Sequence, residues 1–206
     1  RLIGTKQFLG WGRTDHHPSI VGNVFEKTIN YITSDNADSN KELGAYYTPS
    51  EITRFCAEET VRPALLDRFQ TVLVEECDWP EHSANGFDSI YELIEGLPGH
   101  MGTIGPLLDE VDQFRVVDPA CGSGHFLTSV LEEIVNIRKA LYAQNESYPD
   151  EYRLKKTTVL ENIYGVDLVG PAVEIAKLRC WLSVISELET ENVDNLAEDD
   201  ALALPN

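Results

Sequence analysis

The sequence predicts an α/β fold with parallel strands, in which a loop of small residues between a strand and a helix serves a ligand. Three observations predict it. The stretch "VVDPACGSGHFL" (116–127) runs two β-branched residues into an acid and a proline, then places Ala, Cys, Gly, Ser and Gly before an apolar helical pattern. The stretch "NIYGVDLVGPAVEIAKL" (162–178) repeats the order of short apolar run, acid, turn and helix. Ahead of both, apolar residues recur at helical spacing rather than alternating. Small residues in succession give up packing area, so a turn built from them brings its backbone close to something else.

The elements follow in chain order. Ile20, Val21, Val24, Phe25, Ile29 and Ile32 recur at helical spacing behind Pro18-Ser19 and predict a first amphipathic helix. The polar stretch "TSDNADSNKELGA" reads as a loop. In "YYTPSE" a helix starts, with Thr48 as N-cap, Pro49 at the first helical position and Glu51 closing a capping box. Ile52, Phe55 and Cys56 supply its apolar stripe, Pro63 breaks or restarts it, and Leu65, Leu66, Phe69, Val72 and Leu73 continue the pattern. Residues 77–113 read as a structural connector, with turns at Asn85-Gly86 and Pro98-Gly99 and one short helix at 90–94.

Residues 114–117 form a short apolar run ending at Asp118, as a buried parallel strand does, and the pairs Phe126/Leu127, Val130/Leu131 and Ile134/Val135 then repeat every four residues. That helix continues to about Tyr142 and is followed by a polar insert, "AQNESYPDEYRLKK". Ile163, Tyr164 and Val166 make a second strand ending at Asp167, and a long apolar helix opens at Pro171. Three regions result: a helical segment and loop over 1–45, a helical region with the acidic connector over 46–113, and an α/β core over 114–206.

Composition limits the partners. At 206 residues with 42% apolar content the chain makes one ordinary domain, or a small domain plus an appendage. No apolar run approaches the roughly 20 residues of a membrane span. The chain opens on Arg1 with no signal-peptide pattern, as expected of a cytoplasmic protein and of a cut piece of one. Cys56, Cys77, Cys121 and Cys180 lack CxxC spacing, which argues for reduced thiols and against a disulfide framework or a zinc site. Neither Cys77 with His82 nor the His16-His17 pair makes a convincing metal site.

The net charge is −19, with −11 concentrated over 51–112 and −8 over 113–206. A nucleic-acid binder is expected to show a basic face, and this chain shows none. Three explanations stand open. The chain comes from a salt-loving organism, where the Debye length is about 3 Å; the basic surface lies in a part of the protein beyond this chain; or the protein never meets nucleic acid.

Strand, small-residue turn and helix together aim backbone N–H groups and a positive helix end at a polar ligand. The dinucleotide fingerprint fails here, because Gly122 and Gly124 are followed by Leu127 where a third glycine is required. Asp167, at the neighbouring strand tip, is placed to accept hydrogen bonds from the hydroxyls of a ribose, with Leu168 against an adenine face; the alternative is that Asp167 only caps the turn into the next helix. The pairing of this acid with the loop at 118–124 favours the nucleoside. The 49 residues separating Asp118 from Asp167 exceed the roughly 20 of the nicotinamide fold.

Three motifs in order, "LGAYYTP" (43–49), "DPACGSGHFL" (118–127) and "IYGVDLVGPAVEIAKLRCWLSVI" (163–185), closely resemble the cofactor motifs of DNA adenine-N6 methyltransferases, above all the large single-chain enzymes of type II restriction-modification and related phage-defence systems. "VGNVFEKTIN" (21–30) resembles the segment such proteins carry upstream. The resemblance covers roughly residues 20–76 and 113–206. It implies a Rossmann-like class I methyltransferase fold binding S-adenosylmethionine. It also implies that Tyr47, Thr48 and Pro49 line the methionine end. Asp118, Pro119, Ala120, Cys121, Gly122, Ser123 and Gly124 would form the cofactor loop, Phe126 and Leu127 anchor the next helix, and Asp167 and Leu168 meet the adenosine. Cys121 counts there as a small packing residue, not a nucleophile.

Methyl transfer to adenine requires the amine to be flipped out and held for in-line attack, and in the resembled family an Asn/Asp-Pro-Pro-aromatic motif does this. The 206 residues contain no such motif. The third-strand acid is unplaced too: Asp199 and Asp200 lie in "ETENVDNLAEDD", which reads more easily as a solvated linker. Two parallel strands leave an unpaired sheet edge. The expectation is therefore the cofactor-binding portion of a longer methyltransferase, which meets double-stranded DNA through parts absent here and does not turn over alone. The alternatives are a methyltransferase of RNA or protein and a non-catalytic interaction module of the same fold.

Overall fold

The computed structural model describes residues 48–97 and 101–187. The expected first helix at 20–32, the loop after it, His16, His17, Tyr47, Asp199 and Asp200 lie outside the described residues.

Helix α1 (Ser50–Glu75) buries Thr53, Ala57, Val61, Leu65, Phe69, Val72 and Leu73, a stripe spaced by threes and fours. Three expectations for it are corrected. The helix begins at Ser50 with Pro49 as N-cap and no side-chain cap bond, so Thr48 does not cap it and no capping box forms. The cap is the Pro49 carbonyl, which accepts from the N–H groups of Ile52 at 3.0 Å and Thr53 at 3.2 Å. Pro63 lies inside the helix without ending it; the residue is exposed, so the carbonyl it leaves unbonded, that of Glu59, belongs to a water-facing turn. The stripe is also rotated, with Ile52 and Phe55 exposed at 51% and 60%, because the long register set by Leu65 and Phe69 carries back to Ala57 and Thr53.

The connector is mostly helix, against expectation: α2 (Glu81–Ala84), α3 (Ile90–Gly96) and α4 (Met101–Gln113). Ser89 caps α3 by accepting from the Glu92 N–H at 3.2 Å, while Glu92 Oε2 accepts from the Asp88 N–H at 3.1 Å. Ile90, Leu93, Ile94, Ile104, Leu107 and Val111 are buried and extend the core.

Strands β1 (Val116–Asp118) and β2 (Ile163–Gly165) pair in parallel, in the register Val116 to Ile163, Val117 to Tyr164 and Asp118 to Gly165. Between them run α5 (His125–Gln144) and α6 (Glu151–Glu161), and α7 (Gly170–Ile185) follows β2. The polar insert is half helix, started by Asp150, whose side chain accepts from the Tyr152 N–H. The first strand is not buried on both faces. Phe114 belongs to the turn before it, and Val117 is 61% exposed, on the same face as Tyr164. The helices cover the opposite face.

Helix α5 is the hub and packs against α1, α3, α4, α6, α7 and β2. Its Leu131, Ile134, Val135, Ile137 and Leu141 are fully buried, and truncating any one to alanine costs about 2–5 kcal/mol. Buried polar groups fix how the layers meet. Glu133 accepts from Arg62 Nε at 2.7 Å and from the Tyr91 hydroxyl at 3.0 Å, joining α1, α3 and α5. Burial first, then the Glu133 charge, raises the Tyr91 pKa, which keeps its hydroxyl a donor. Asn162, wholly buried, donates to the carbonyls of Val111 and Phe114 at 2.7 Å each and accepts from Arg138 at 3.0 Å. Its own carbonyl accepts from the Val116 N–H at 2.7 Å, so the two strands start level and their tips end level.

Candidate functional site

Level strands bring the two predicted features together. The Gly122 N–H donates to Asp167 Oδ2 at 2.8 Å, and the Val169 N–H donates to Oδ1 at 2.8 Å. Asp167 therefore does cap the turn into α7, and with its other oxygen it also holds the glycine loop. Each carboxylate oxygen carries two lone pairs, so one on each remains for a further donor.

The loop is tied to β2 along its length. The Val166 N–H donates to the Asp118 carbonyl and the Cys121 N–H to the Val166 carbonyl, both at 2.9 Å. Asp118 Oδ1 accepts from the Ala120 N–H at 3.0 Å, and the Gly124 N–H donates to the Cys121 carbonyl at 2.8 Å. This corrects one expectation: the N–H groups of residues 120, 121, 122 and 124 are spent inside the protein, not aimed at a ligand. With Asp118 and Asp167 beside it, the loop is electronegative. Cys121 registers this, its thiol pushed up to about 11 by burial first, then by Asp118 and Asp167. It is the buried packing residue the sequence suggested, and at that pKa not a thiolate.

The two loop glycines differ. Both have positive φ, 51° at Gly122 and 81° at Gly124. A Cβ on Gly124 would lie 2.9 Å from the Cβ of Ala176, whereas one on Gly122 would meet nothing within 4 Å among the described residues. Gly124 lets α7 close on the loop, and Gly122 leaves the outer side open. Gly165, which the sequence did not single out, admits the loop from below: a Cβ there would meet Leu127 Cδ1 at 2.7 Å and Cys121 Sγ at 3.0 Å.

Of the other predicted residues, Leu127 is buried in the core, Phe126 is half-buried, Pro119 is exposed and Leu168 is fully exposed. Thr48 is half-buried and Pro49 exposed. The start of their helix is joined to the helix that follows the loop, since Ser129 Oγ donates to Thr53 Oγ1 at 2.8 Å and lies 3.3 Å from the His125 carbonyl. His125, the first residue of α5, is buried, and burial followed by the charge of Arg179 lowers its pKa to about 4.

Sequence reasoning missed Arg179. Its side chain is fully buried, and its Nη1 donates to the Ser123 carbonyl at 3.2 Å. The signal was a charge on the face of α7 that also carries Ala172, Ala176, Cys180 and Ser183. Beside β2 lies a separate apolar cleft of about 340 Å³, lined among others by Leu160, Ile163, Gly165, Val173 and Cys180. Asp118, Gly122 and Asp167 do not line it, whereas Cys121 and Leu127 do. Among the described residues no three His, Cys, Asp or Glu side chains group as metal ligands, and no helix is long and apolar enough to cross a membrane.

Comparison with known proteins identifies the family of the chain. The family described as "MmeI, DNA-methyltransferase domain" matches residues 99–205. A protein of Methanocaldococcus jannaschii that bears the name of a type II restriction enzyme and methyltransferase is 39% identical over 178 residues, 85% of this chain and 14% of that protein. DNA methyltransferase A of Bacillus subtilis is 22% identical over 88% of this chain and 17% of its own length. The adenine-specific methyltransferase BrxX of Escherichia coli is 34% identical over 37% of this chain and 6% of its own length. This chain thus spans less than a fifth of the length of these relatives. No solved structure matches it significantly. The chain belongs to the MmeI-type DNA methyltransferase domain family, and its relatives include proteins named as a type II restriction enzyme and methyltransferase and as an adenine-specific methyltransferase.

Proposed function

We propose that this chain is the S-adenosylmethionine-binding portion of a DNA adenine-N6 methyltransferase, with a Rossmann-like core. The observation that carries the reading is the Gly122–Asp167 hydrogen bond at 2.8 Å, which sets the glycine loop and the acid of the second strand around one open surface. The loop's character supports a cation. Four of its N–H groups are committed and two carboxylates flank it, which suits an ammonium and a sulfonium and disfavours the pyrophosphate of a dinucleotide.

In this reading Asp118 and the loop face the methionine ammonium, and the open side of Gly122 admits the cofactor backbone. The remaining lone pairs of Asp167 accept from the ribose hydroxyls, and Leu168 lies against the adenine. Thr48 and Pro49, with Tyr47, approach the methionine end. Bound there, the cofactor supplies an electrophilic methyl group on a positively charged sulfur. The base-holding motif is absent from the 206 residues, so the chain binds cofactor and does not methylate DNA by itself; duplex DNA is met by other parts of the parent protein.

Calorimetry with S-adenosylmethionine tests this, comparing wild type with Asp167→Ala. Wild type binds, and the variant binds at least about tenfold more weakly, as loss of hydrogen bonds to a charged acceptor requires. Equal affinity would remove Asp167 from the site.

A further inference from the structure

Arg179 is a fully buried side chain under the glycine loop. Its Nη1 donates to the Ser123 carbonyl at 3.2 Å and lies 3.3 Å from the Ser123 hydroxyl. One turn earlier on α7, Ala176 closes on Gly124. The helix therefore grips two consecutive loop residues from within, while Gly122, open on its outer side, is held by Asp167. Ser123 stands between two glycines of positive φ, and glycine gives up more backbone freedom on ordering than any other residue. A guanidinium is costly to desolvate, and apolar side chains of similar volume often serve stability as well or better. A buried arginine whose Nη1 lies against both Ser123 oxygens thus bears on the geometry of the loop.

We propose that Arg179 is a positioning residue for the cofactor: it pins Ser123 so that the loop is already in its binding shape before the ligand arrives. Pre-setting a flexible loop raises affinity by lowering the cost of ordering it. Lysine keeps the charge but lacks the planar guanidinium that sets Nη1 beside both Ser123 oxygens. The proposal rests on the loop being the S-adenosylmethionine site.

Two measurements separate the proposal from that assumption: calorimetric affinity for S-adenosylmethionine, and amide hydrogen exchange at residues 122–124 without ligand. They are made on the 206-residue chain, wild type, Arg179→Lys, Ser123→Ala and the double variant. Arg179→Lys is expected to bind roughly tenfold or more weakly and to exchange faster at Gly122 and Gly124. The double variant is expected to bind little worse than Arg179→Lys alone, since both changes act through Ser123. Unchanged affinity with lowered thermal stability is what a purely structural arginine gives, and it overturns the proposal, as do independent, multiplying effects in the double variant. If wild type binds no cofactor, the loop is not the site, and exchange alone decides whether Arg179 sets the loop. If Arg179→Lys does not fold, Arg179→Met, which removes both the donor to the Ser123 carbonyl and the buried charge, decides: weaker binding with faster exchange at Gly122 and Gly124 supports the pin, and unchanged binding overturns it.

Discussion

The backbone N–H of Gly122 donates to Oδ2 of Asp167 at 2.8 Å, joining residues 45 positions apart in the chain. The acid at one strand tip thus holds the loop at the other, and the site is assembled by the sheet register and not by either motif alone.

Asp167→Asn should destabilise the fold. The amide keeps one acceptor oxygen and turns a donor toward one of two N–H groups, those of Gly122 and Val169. A loss of about 1–3 kcal/mol is expected from the unsatisfied pair, read as a lower urea midpoint at unchanged slope. An unchanged midpoint would mean the bond does not hold the loop.

Alanine at the two loop glycines should give opposite orders in two assays. Gly124→Ala meets both an unfavourable φ and Ala176 at 2.9 Å, so about 2–4 kcal/mol of stability is lost. Gly122→Ala meets the φ cost alone, about 1–2 kcal/mol. In S-adenosylmethionine affinity, corrected for the folded fraction, Gly122→Ala should be the worse, because its methyl group occupies the open side.

His125 should make the fold acid-sensitive. Burial, and then Arg179, hold its pKa near 4 against an ordinary 6.5. An unfolded histidine takes up its proton near 6.5 and the folded one only near 4, so the unfolded state binds more protons between those values. Stability therefore falls as pH drops from about 6.5 to about 4, by on the order of 2–3 kcal/mol. Urea unfolding at pH 7, 5.5 and 4.5 should show this slope in wild type and a shallower one in His125→Phe. Matching slopes would assign the acid sensitivity to other groups.

Pro63→Ala should stabilise. The proline is exposed within the 26-residue α1, and alanine restores the hydrogen bond to the Glu59 carbonyl and removes the ring clash. About 1–3 kcal/mol is expected, visible as a higher melting temperature. A lower one would show that the helix needs the proline's rigidity.

The strand–turn–helix units were legible because each concentrates its signal in a few adjacent residues: an acid after β-branched residues, small residues in the turn, then apolar pairs every four. The pairing of Gly122 with Asp167 was legible as a relationship, though not as a hydrogen bond. What stayed hidden depended on contacts distant in sequence. The buried stripe of α1 follows Leu65 and Phe69 back to Thr53, which no local pattern around Ile52 and Phe55 shows. Helix α4 contains Gly102, Gly105 and Pro106, residues that argue against a helix until Ile104, Leu107 and Val111 are seen packed in the core. Arg179 was passed over because a charge in an apolar helix ordinarily faces water. Here it faces the loop.

The contact between Gly124 and Ala176 leaves α7 at its closest approach to the loop, with a methyl group already the largest tenant the gap accepts. Residue 176 therefore acts as a spacer whose width sets how deep the loop sits: valine would lever the helix outward and carry Arg179 with it. Anyone wishing to retune the pocket without altering its lining has a single dial on the back of the molecule.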